Sequence, residues 1–145
     1  VAREDDPAPG AGGAEYSFFS DPALNAAGDM AFEAFLRTGD TGPEVDGSND
    51  GALFAFVDGE PQLIVREGDP FTVFPDAGPP EVRTISFIDF DRLNGMSDTG
   101  GLAFKLFFTD DTSGIFTTTI IPEPTSLALL ATAAPLLLGR RRGRR

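Results

Sequence analysis

Three short stretches of this chain occur twice, in the same order and about 63 residues apart. The matched pairs are "VAREDDP" (Val1–Pro7) with "IVREGDP" (Ile64–Pro70), "LNAAGDMAFEAFL" (Leu24–Leu36) with "LNGMSDTGGLAFKLFF" (Leu93–Phe108), and "NDGALF" (Asn49–Phe54) with "DTSGIF" (Asp111–Phe116). Three collinear matches at one period indicate an internal repeat. The chain is therefore predicted to hold about two copies of one small unit, the first of them truncated.

The middle stretch alternates with a period of two in both copies. Its apolar positions are Phe32, Ala34 and Leu36 in the first copy and Phe104, Leu106 and Phe108 in the second. The charged Glu33 and Lys105 fall at equivalent places between them. This alternation predicts strands with one apolar face and one partly wet face.

Turn residues divide the rest of the chain into further short strands. We predict these strands at Ala52–Val57, Gln62–Arg66, Ile85–Phe90 and Gly114–Ile120. Asp58-Gly59 indicates a tight hairpin, and "LNAAGD" indicates a turn in which Asn25 and Gly28 tolerate a positive φ. The Pro- and Gly-rich stretches Asp6–Glu15 and Pro70–Glu81 are predicted to be loops.

The predicted fold class is all-β, built from antiparallel repeat units of about 63 residues with roughly four strands each. Such a unit fits a propeller blade, one turn of a β-solenoid or a sheet in a sandwich. The chain begins in mid-unit, which favours a fragment of a longer product. We divide it into a β-repeat body, residues 1–121, and a tail, residues 122–145.

Charge is unevenly distributed along the chain. The formal net charge is −12, yet five of the eleven basic residues lie in the last six positions, so residues 1–121 hold six basic groups against twenty-two acidic ones. Such a body repels nucleic acid phosphates and anionic lipid headgroups, so we expect no nucleic acid partner.

Composition also excludes several kinds of catalytic site. The sequence contains no Cys, His or Trp. Disulfides, thiolate nucleophiles, Ser-His-Asp triads and zinc sites with Cys or His ligands are therefore ruled out. We expect no enzymatic activity and no obligatory cofactor.

One stretch resembles the start of a calcium-binding loop. "DGSNDG" offers oxygen ligands from Asp46, Ser48 and Asp50 before the turn glycine Gly51. Ca²⁺ prefers six to eight oxygen ligands around such a turn, but the twelfth loop position is Val57 instead of a bidentate Glu. The same residue types are common in ordinary turns, so Ca²⁺ binding is an alternative prediction.

Two further acidic patterns have both a structural and a functional interpretation. "REDDP" and "REGDP" recur with the repeat, which favours strand ends whose Arg pairs with a nearby carboxylate over a catalytic or cation site. Asp89 and Asp91 flank Phe90 and are predicted to lie on one side of a strand. A hydrolase that uses such a pair is the second alternative function.

The C-terminal tail has three zones. Pro122, Glu123 and Pro124 form a stiff, extended joint. Thr125–Gly139 contains no charge in fifteen residues, and we expect a short apolar helix there. About 20 apolar residues are needed to span a bilayer, so this segment is marginal as a permanent anchor. The last zone is basic and is predicted to stay cytoplasmic, with Arg140, Arg141, Arg142, Arg144 and Arg145.

In this order and at this place, the three zones resemble the PEP-CTERM sorting signal of Gram-negative bacteria. The resemblance covers Pro122–Arg145. It implies recognition by exosortase, a membrane-embedded cysteine transpeptidase, and processing near the Pro-Glu-Pro motif. Transient anchoring in the inner membrane would then precede release or transfer to the cell surface or extracellular matrix.

The body resembles an uncharacterised family of extracellular β-repeats, through "VAREDDPAPG", "LNAAGDMAF" and "REGDP". Asp5 stands where that family usually has a glycine. Together the two resemblances predict an exported, surface-sorted protein of structural or adhesive type. A calcium- or glycan-binding extracellular module, with extracellular polysaccharide as a partner, is the first alternative.

Overall fold

The structure, a computed structural model, describes residues 1–40, 42, 44–57 and 59–120. These residues form nine β-strands: β1 (Glu15–Phe19), β2 (Ala23–Leu24), β3 (Met30–Arg37), β4 (Gly51–Val57), β5 (Glu60–Arg66), β6 (Pro70–Val73), β7 (Glu81–Asp89), β8 (Gly101–Phe108) and β9 (Ser113–Thr119). The prediction of an all-β protein is confirmed for this part of the chain.

The strands form two antiparallel sheets. The N-terminal sheet has the order β1-β3-β4-β5, and β2 pairs with β3 beside β1. The C-terminal sheet has the order β6-β7-β8-β9. Every strand pair is antiparallel.

The main core lies between the two sheets. Ala31, Leu53 and Ala55 of the N-terminal sheet pack in one cluster with Ile85 and Leu106 of the C-terminal sheet. A second cluster covers the opposite face of the N-terminal sheet, where a loop adds small side chains to the aromatic ones; it includes Ala8, Ala11, Ala14, Tyr16, Phe32 and Phe54. Strand β4 is therefore buried on both faces.

The six strands predicted from alternation and turn signals are confirmed, although their ends differ by a few residues. The hairpin between β4 and β5 is confirmed as well, with φ = 86° at Gly59. Asp58 lies outside the described residues. Strands β1 and β2 were not predicted, because short strands beside Pro and Asp carry little alternation.

The prediction that Pro70–Glu81 is a loop is wrong in part. Pro70–Val73 forms β6, which pairs with Glu81–Thr84 of β7. Proline is tolerated there because it is the first residue of an edge strand, where a missing N–H removes no central ladder bond. The predicted turn "LNAAGD" is confirmed at Gly28, with φ = 91°. Asn25 does not have the positive φ that we expected. Its side-chain Oδ1 instead stabilises the turn by accepting hydrogen bonds from the N–H groups of Ala27 and Asp29.

One backbone turn occurs in both halves of the chain. Asp5 N–H donates to Tyr16 O at 2.9 Å, and Gly68 N–H donates to Ile85 O at 2.9 Å. The central residue is left-handed in both, with φ = 71° at Asp5 and 82° at Gly68. Glycine adopts this conformation without strain, whereas Asp is one of the few other residues that tolerate it.

The β1–β3 and β7–β8 pairs share an irregularity. The register shifts between Tyr16 and Phe18 in β1, and between Ile85 and Phe87 in β7. In each sheet the phenylalanine that follows the shift faces another phenylalanine, Phe35 or Phe107. A bulge of this kind bends the strand and increases its twist.

The predicted C-terminal apolar helix, Thr125–Gly139, lies outside the described residues. Within the described part of the chain, no helix is long and apolar enough to cross a membrane.

The two equivalent positions Leu53 and Ile115 offer a test of the core between the sheets. Leu53 is 0% exposed, whereas Ile115, in the same place on β9, is 77% exposed. We expect Leu53→Ala to lower the free energy of unfolding by about 2–5 kcal/mol, because it leaves a cavity. The control Ile115→Ala should change it by about 0.5 kcal/mol or less. Urea denaturation measures both; similar losses would contradict this account of the core.

Candidate functional site

The residues of the predicted sorting signal lie outside the described residues. They are Pro122, Glu123, Pro124, Arg140, Arg141, Arg142, Arg144 and Arg145. In the described part of the body, residues 1–120, the features that could bind or react are the loop at Asp46, the turn at Asp91, the joint at Arg66–Asp69 with its acidic neighbours, and the exposed aromatic pairs.

The predicted calcium loop forms a turn stabilised by its own hydrogen bonds. Asp46 Oδ1 accepts from Ser48 N–H at 2.8 Å and from Ser48 Oγ at 2.6 Å. These bonds lower the pKa of Asp46. Asp50 follows at the entry of β4, where its backbone oxygen accepts a hydrogen bond from Leu36 N–H. Within the described ranges, no three Asp or Glu side chains cluster as a metal ion would require. Ca²⁺ binding at Asp46, Ser48 and Asp50 stays a prediction.

Asp89 and Asp91 do not lie on one strand. Strand β7 ends at Asp89, and Asp91 begins the turn that follows. The Asp91 carboxylate accepts hydrogen bonds from Leu93 N–H at 2.9 Å and from the Asn94 side chain at 2.9 Å. These bonds hold the pKa of Asp91 below its usual value. The prediction of two carboxylates on one side of a strand is wrong because the chain leaves the sheet at Phe90.

The "REGDP" motif forms the joint between the two sheets. Arg66 ends β5 and is buried, but it pairs with carbonyl oxygens and not with a carboxylate as predicted. Its Nε donates to Asn49 O at 2.8 Å, and its NH1 donates to Ala11 O at 3.2 Å. The buried Glu67 carboxylate accepts from Gly51 N–H at 3.1 Å. A methyl group on Gly51 would come within 2.6 Å of that carboxylate, so a larger residue there would force the Glu67 side chain to shift.

Two acidic side chains near this joint, Glu33 and Glu67, are at least partly buried. Burial raises the pKa of Glu33, and the neighbouring carboxylates of Asp89 and Glu67 raise it further against a lowering contact with the Phe90 backbone. Burial also raises the pKa of Glu67, while the hydrogen bond from Gly51 opposes that shift. Sequence reasoning missed this interaction, because Asp89 and Glu67 come near enough to raise the pKa of Glu33 only through the packing of the sheets.

Exposed aromatic pairs lie on both sheets at equivalent positions. Phe18 and Phe35 have ring centroids 6.1 Å apart, and Phe87 and Phe107 have centroids 5.9 Å apart. Phe18 is 55% exposed and Phe87 is 54% exposed. Lys105 Nζ lies 4.2 Å from the centre of the Phe107 ring. Exposed apolar groups that cluster are typical of interaction surfaces.

Residues 1–128 match the model of a protein family described as a family of unknown function, DUF7453. The chain belongs to this family. Neither a curated protein nor a solved structure was found to match it.

The raised pKa of Glu33 predicts a pH-dependent effect of Glu33→Gln. The pKa of this carboxyl in the folded state lies above its ordinary value of 4.5. The folded state therefore binds the proton more tightly than the unfolded state does, and the protein loses stability as the pH rises through the folded pKa. We expect the variant to melt at a higher temperature than the wild type at pH 7, and the difference to shrink below about pH 4.5.

Glu60→Gln at the exposed start of β5 is the matched control, since it removes the same charge from this acidic chain. Melting temperatures of the three proteins at pH 4 and pH 7 decide the question. Equal effects of the two substitutions at pH 7 would mean that only the net charge of the chain matters.

Proposed function

We propose that this chain is an exported, surface-sorted β-repeat protein of structural or adhesive type, whose tail directs processing by exosortase. The order of three zones in Pro122–Arg145 carries this proposal: a Pro-Glu-Pro joint, an uncharged apolar stretch and a terminal arginine cluster. The apolar stretch is shorter than a stable membrane span. That length suits a segment which stops in the bilayer only until the joint has been cut.

The location follows from the same signal. The arginine cluster stays on the cytoplasmic side by the positive-inside rule and holds the acidic body outside the inner membrane. We place the mature protein in the cell envelope, on the cell surface or in the extracellular matrix of a Gram-negative bacterium. Its partners are exosortase, the membrane during sorting, and extracellular polysaccharide.

We further propose that the body is made of repeat units. The sequence matches support this, and so do the paired turns at Asp5 and Gly68 and the shared bulges before Phe18 and Phe87. Each unit contributes a sheet of about four strands that stacks on the next, as blades do in a propeller. A stack of this kind suits a scaffold, since each added unit extends one continuous core.

The exposed aromatic pairs support polysaccharide binding as the role of the body. Sugar rings present flat C–H faces, and exposed phenylalanine rings offer apolar surfaces that such faces can cover. The pairs recur on each sheet, so a long polymer could contact one pair per unit. Weak contacts that repeat along a polymer add up to useful avidity.

The tail prediction is tested with Pro122–Arg145 fused behind an exported reporter. In a strain with exosortase we expect a shorter product that leaves the inner membrane; without the enzyme we expect a full-length, membrane-bound product. The double substitution Pro122→Ala and Pro124→Ala keeps the apolar and basic zones, and it should stay uncut in both strains. Immunoblots of membrane and secreted fractions give the answer. Identical size and location of the unmodified fusion in both strains would refute the proposal.

The aromatic pairs are tested by the double substitution Phe35→Ala and Phe87→Ala. We expect retention on a column of the producing strain's own polysaccharide to fall by about tenfold, the loss of roughly 1–1.5 kcal/mol of apolar contact. Phe74→Ala is the control, because Phe74 is 78% exposed and belongs to neither pair. Equal retention of wild type and double variant would contradict this role without affecting the sorting proposal.

A further inference from the structure

The outer edge of β9 presents backbone groups that no described residue pairs with. Among residues 1–120, β9 pairs only with β8. Ile120 N–H donates to Gly100 O and Phe108 N–H donates to Thr112 O, so even-numbered residues of β9 point their backbone groups towards β8. In an antiparallel ladder the residues between them point the other way. The N–H and C=O groups of Ser113, Ile115 and Thr117 therefore face outwards.

Strand β4 shows what such an edge binds. It has the same place in the N-terminal sheet, since Gly51 pairs with Phe35 as Ser113 pairs with Phe107. However, β5 covers the outer edge of β4: Leu53 pairs with Val65, and Glu67 N–H donates to Gly51 O at 2.9 Å. The described part of the C-terminal sheet contains no counterpart of β5.

The segment Val1–Glu4 resembles the end of β5 in sequence, and the same turn follows it. "VARE" matches "IVRE" at Ile64–Glu67, which places Ala2 at the position of Val65 and Arg3 at that of Arg66. The next turn repeats as well, because Asp6 N–H donates to Arg3 O at 3.2 Å and Asp69 N–H donates to Arg66 O at 3.3 Å. Arg3 and Glu4 are nevertheless exposed, whereas Arg66 and Glu67 are buried.

The two outer faces of the molecule also suit each other, because one is an exposed sheet face and the other an apolar groove. Leu53 and Ala55 are buried beneath the C-terminal sheet, but their counterparts Ile115 and Thr117 are exposed. The N-terminal sheet carries on its opposite face an apolar groove of about 380 Å³, lined among others by Ala2, Phe19, Met30, Phe32 and Phe56. On the C-terminal sheet the corresponding face is covered by the N-terminal sheet. The described residues therefore leave an uncovered sheet face at one end of the molecule and an apolar groove at the other.

We propose that the outer edge of β9 binds Val1–Glu4 of a second copy of this chain, while the face that carries Ile115 packs over that copy's apolar groove. Ala2 then pairs with Ile115 as Val65 pairs with Leu53. The Arg3 guanidinium reaches Asp111 O as Arg66 reaches Asn49 O. Ser113 stands at the position that corresponds to Gly51, so the Glu4 carboxylate shifts away from the Ser113 Cβ and meets its hydroxyl. The contact is head-to-tail, and it builds rings if its rotation closes and filaments if it does not.

This inference does not depend on the sorting signal, and the absence of cysteine from the chain allows a direct test. Full chain carrying Ala2→Cys is mixed with full chain carrying Ile115→Cys, in detergent that covers the apolar tail segment and at about 0.15 M salt to screen the like charges of the two copies. Residues that face each other in a hydrogen-bonded antiparallel pair have Cα atoms about 5.5 Å apart, which suits a disulfide. We expect a covalent heterodimer on mild oxidation, and a ladder of oligomers from the double variant.

The chain supplies its own controls. Leu53→Cys with Val65→Cys has the same register within one molecule and should close an intramolecular bond under identical conditions. Ala2→Cys mixed with Thr119→Cys tests chance encounters, because Thr119 lies on the same edge but beyond the reach of Val1–Glu4. Crosslinking of Ala2 to Ile115 at least about tenfold faster than to Thr119 supports the proposal. Equal rates overturn it, and so does an Ile115→Cys protein that dimerises alone as fast as the mixture, which would indicate pairing of two β9 edges.

Discussion

The passage of the chain from one sheet to the other depends on the turn at Arg66–Asp69. A buried guanidinium and a buried carboxylate occur there at consecutive positions, Arg66 and Glu67, and each is costly to remove from water unless it is hydrogen-bonded. Arg66 meets this requirement by donating to two carbonyl oxygens, and Glu67 by accepting from Gly51 N–H. The left-handed Gly68 then turns the chain into the next sheet. Because these partners come from two other segments, at Ala11 and at Asn49–Gly51, the joint forms only when the N-terminal sheet and its loop are in place.

The rest of the fold is explained by the need to cover the apolar faces of the two sheets. A sheet with an apolar face is stable only when that face is buried against another element. The C-terminal sheet covers the face of the N-terminal sheet that carries Leu53 and Ala55. At the free face of the N-terminal sheet the loop with Ala8, Ala11 and Ala14 supplies part of the cover, and a groove remains. The stability of the fold and the proposed binding of a second copy thus both depend on covering apolar sheet faces.

Sequence reasoning located most strands because a half-buried strand alternates with a period of two, as Phe104, Leu106 and Phe108 do. It failed where the signal is local and short: β6 begins with Pro70, a residue that normally argues against a strand. It also misjudged Arg66, since an arginine beside acidic residues suggests an ion pair. The structure satisfies its guanidinium with backbone oxygens that come from distant parts of the chain. No pattern within the sequence around Arg66 could predict those partners.

By itself the sequence determined the all-β class, the positions of the longer strands and the three-zone tail, because periodicity, turn residues and charge act over a few neighbouring positions. Only the tertiary structure decided which faces are covered. Leu53 and Ile115 occupy equivalent places in equivalent strands, yet one is buried and the other is exposed. The same holds for Glu33 and Glu67, since burial within the packed sheets raises the pKa of each carboxyl. Burial and electrostatic coupling depend on what packs from elsewhere in the chain, and local sequence does not encode that.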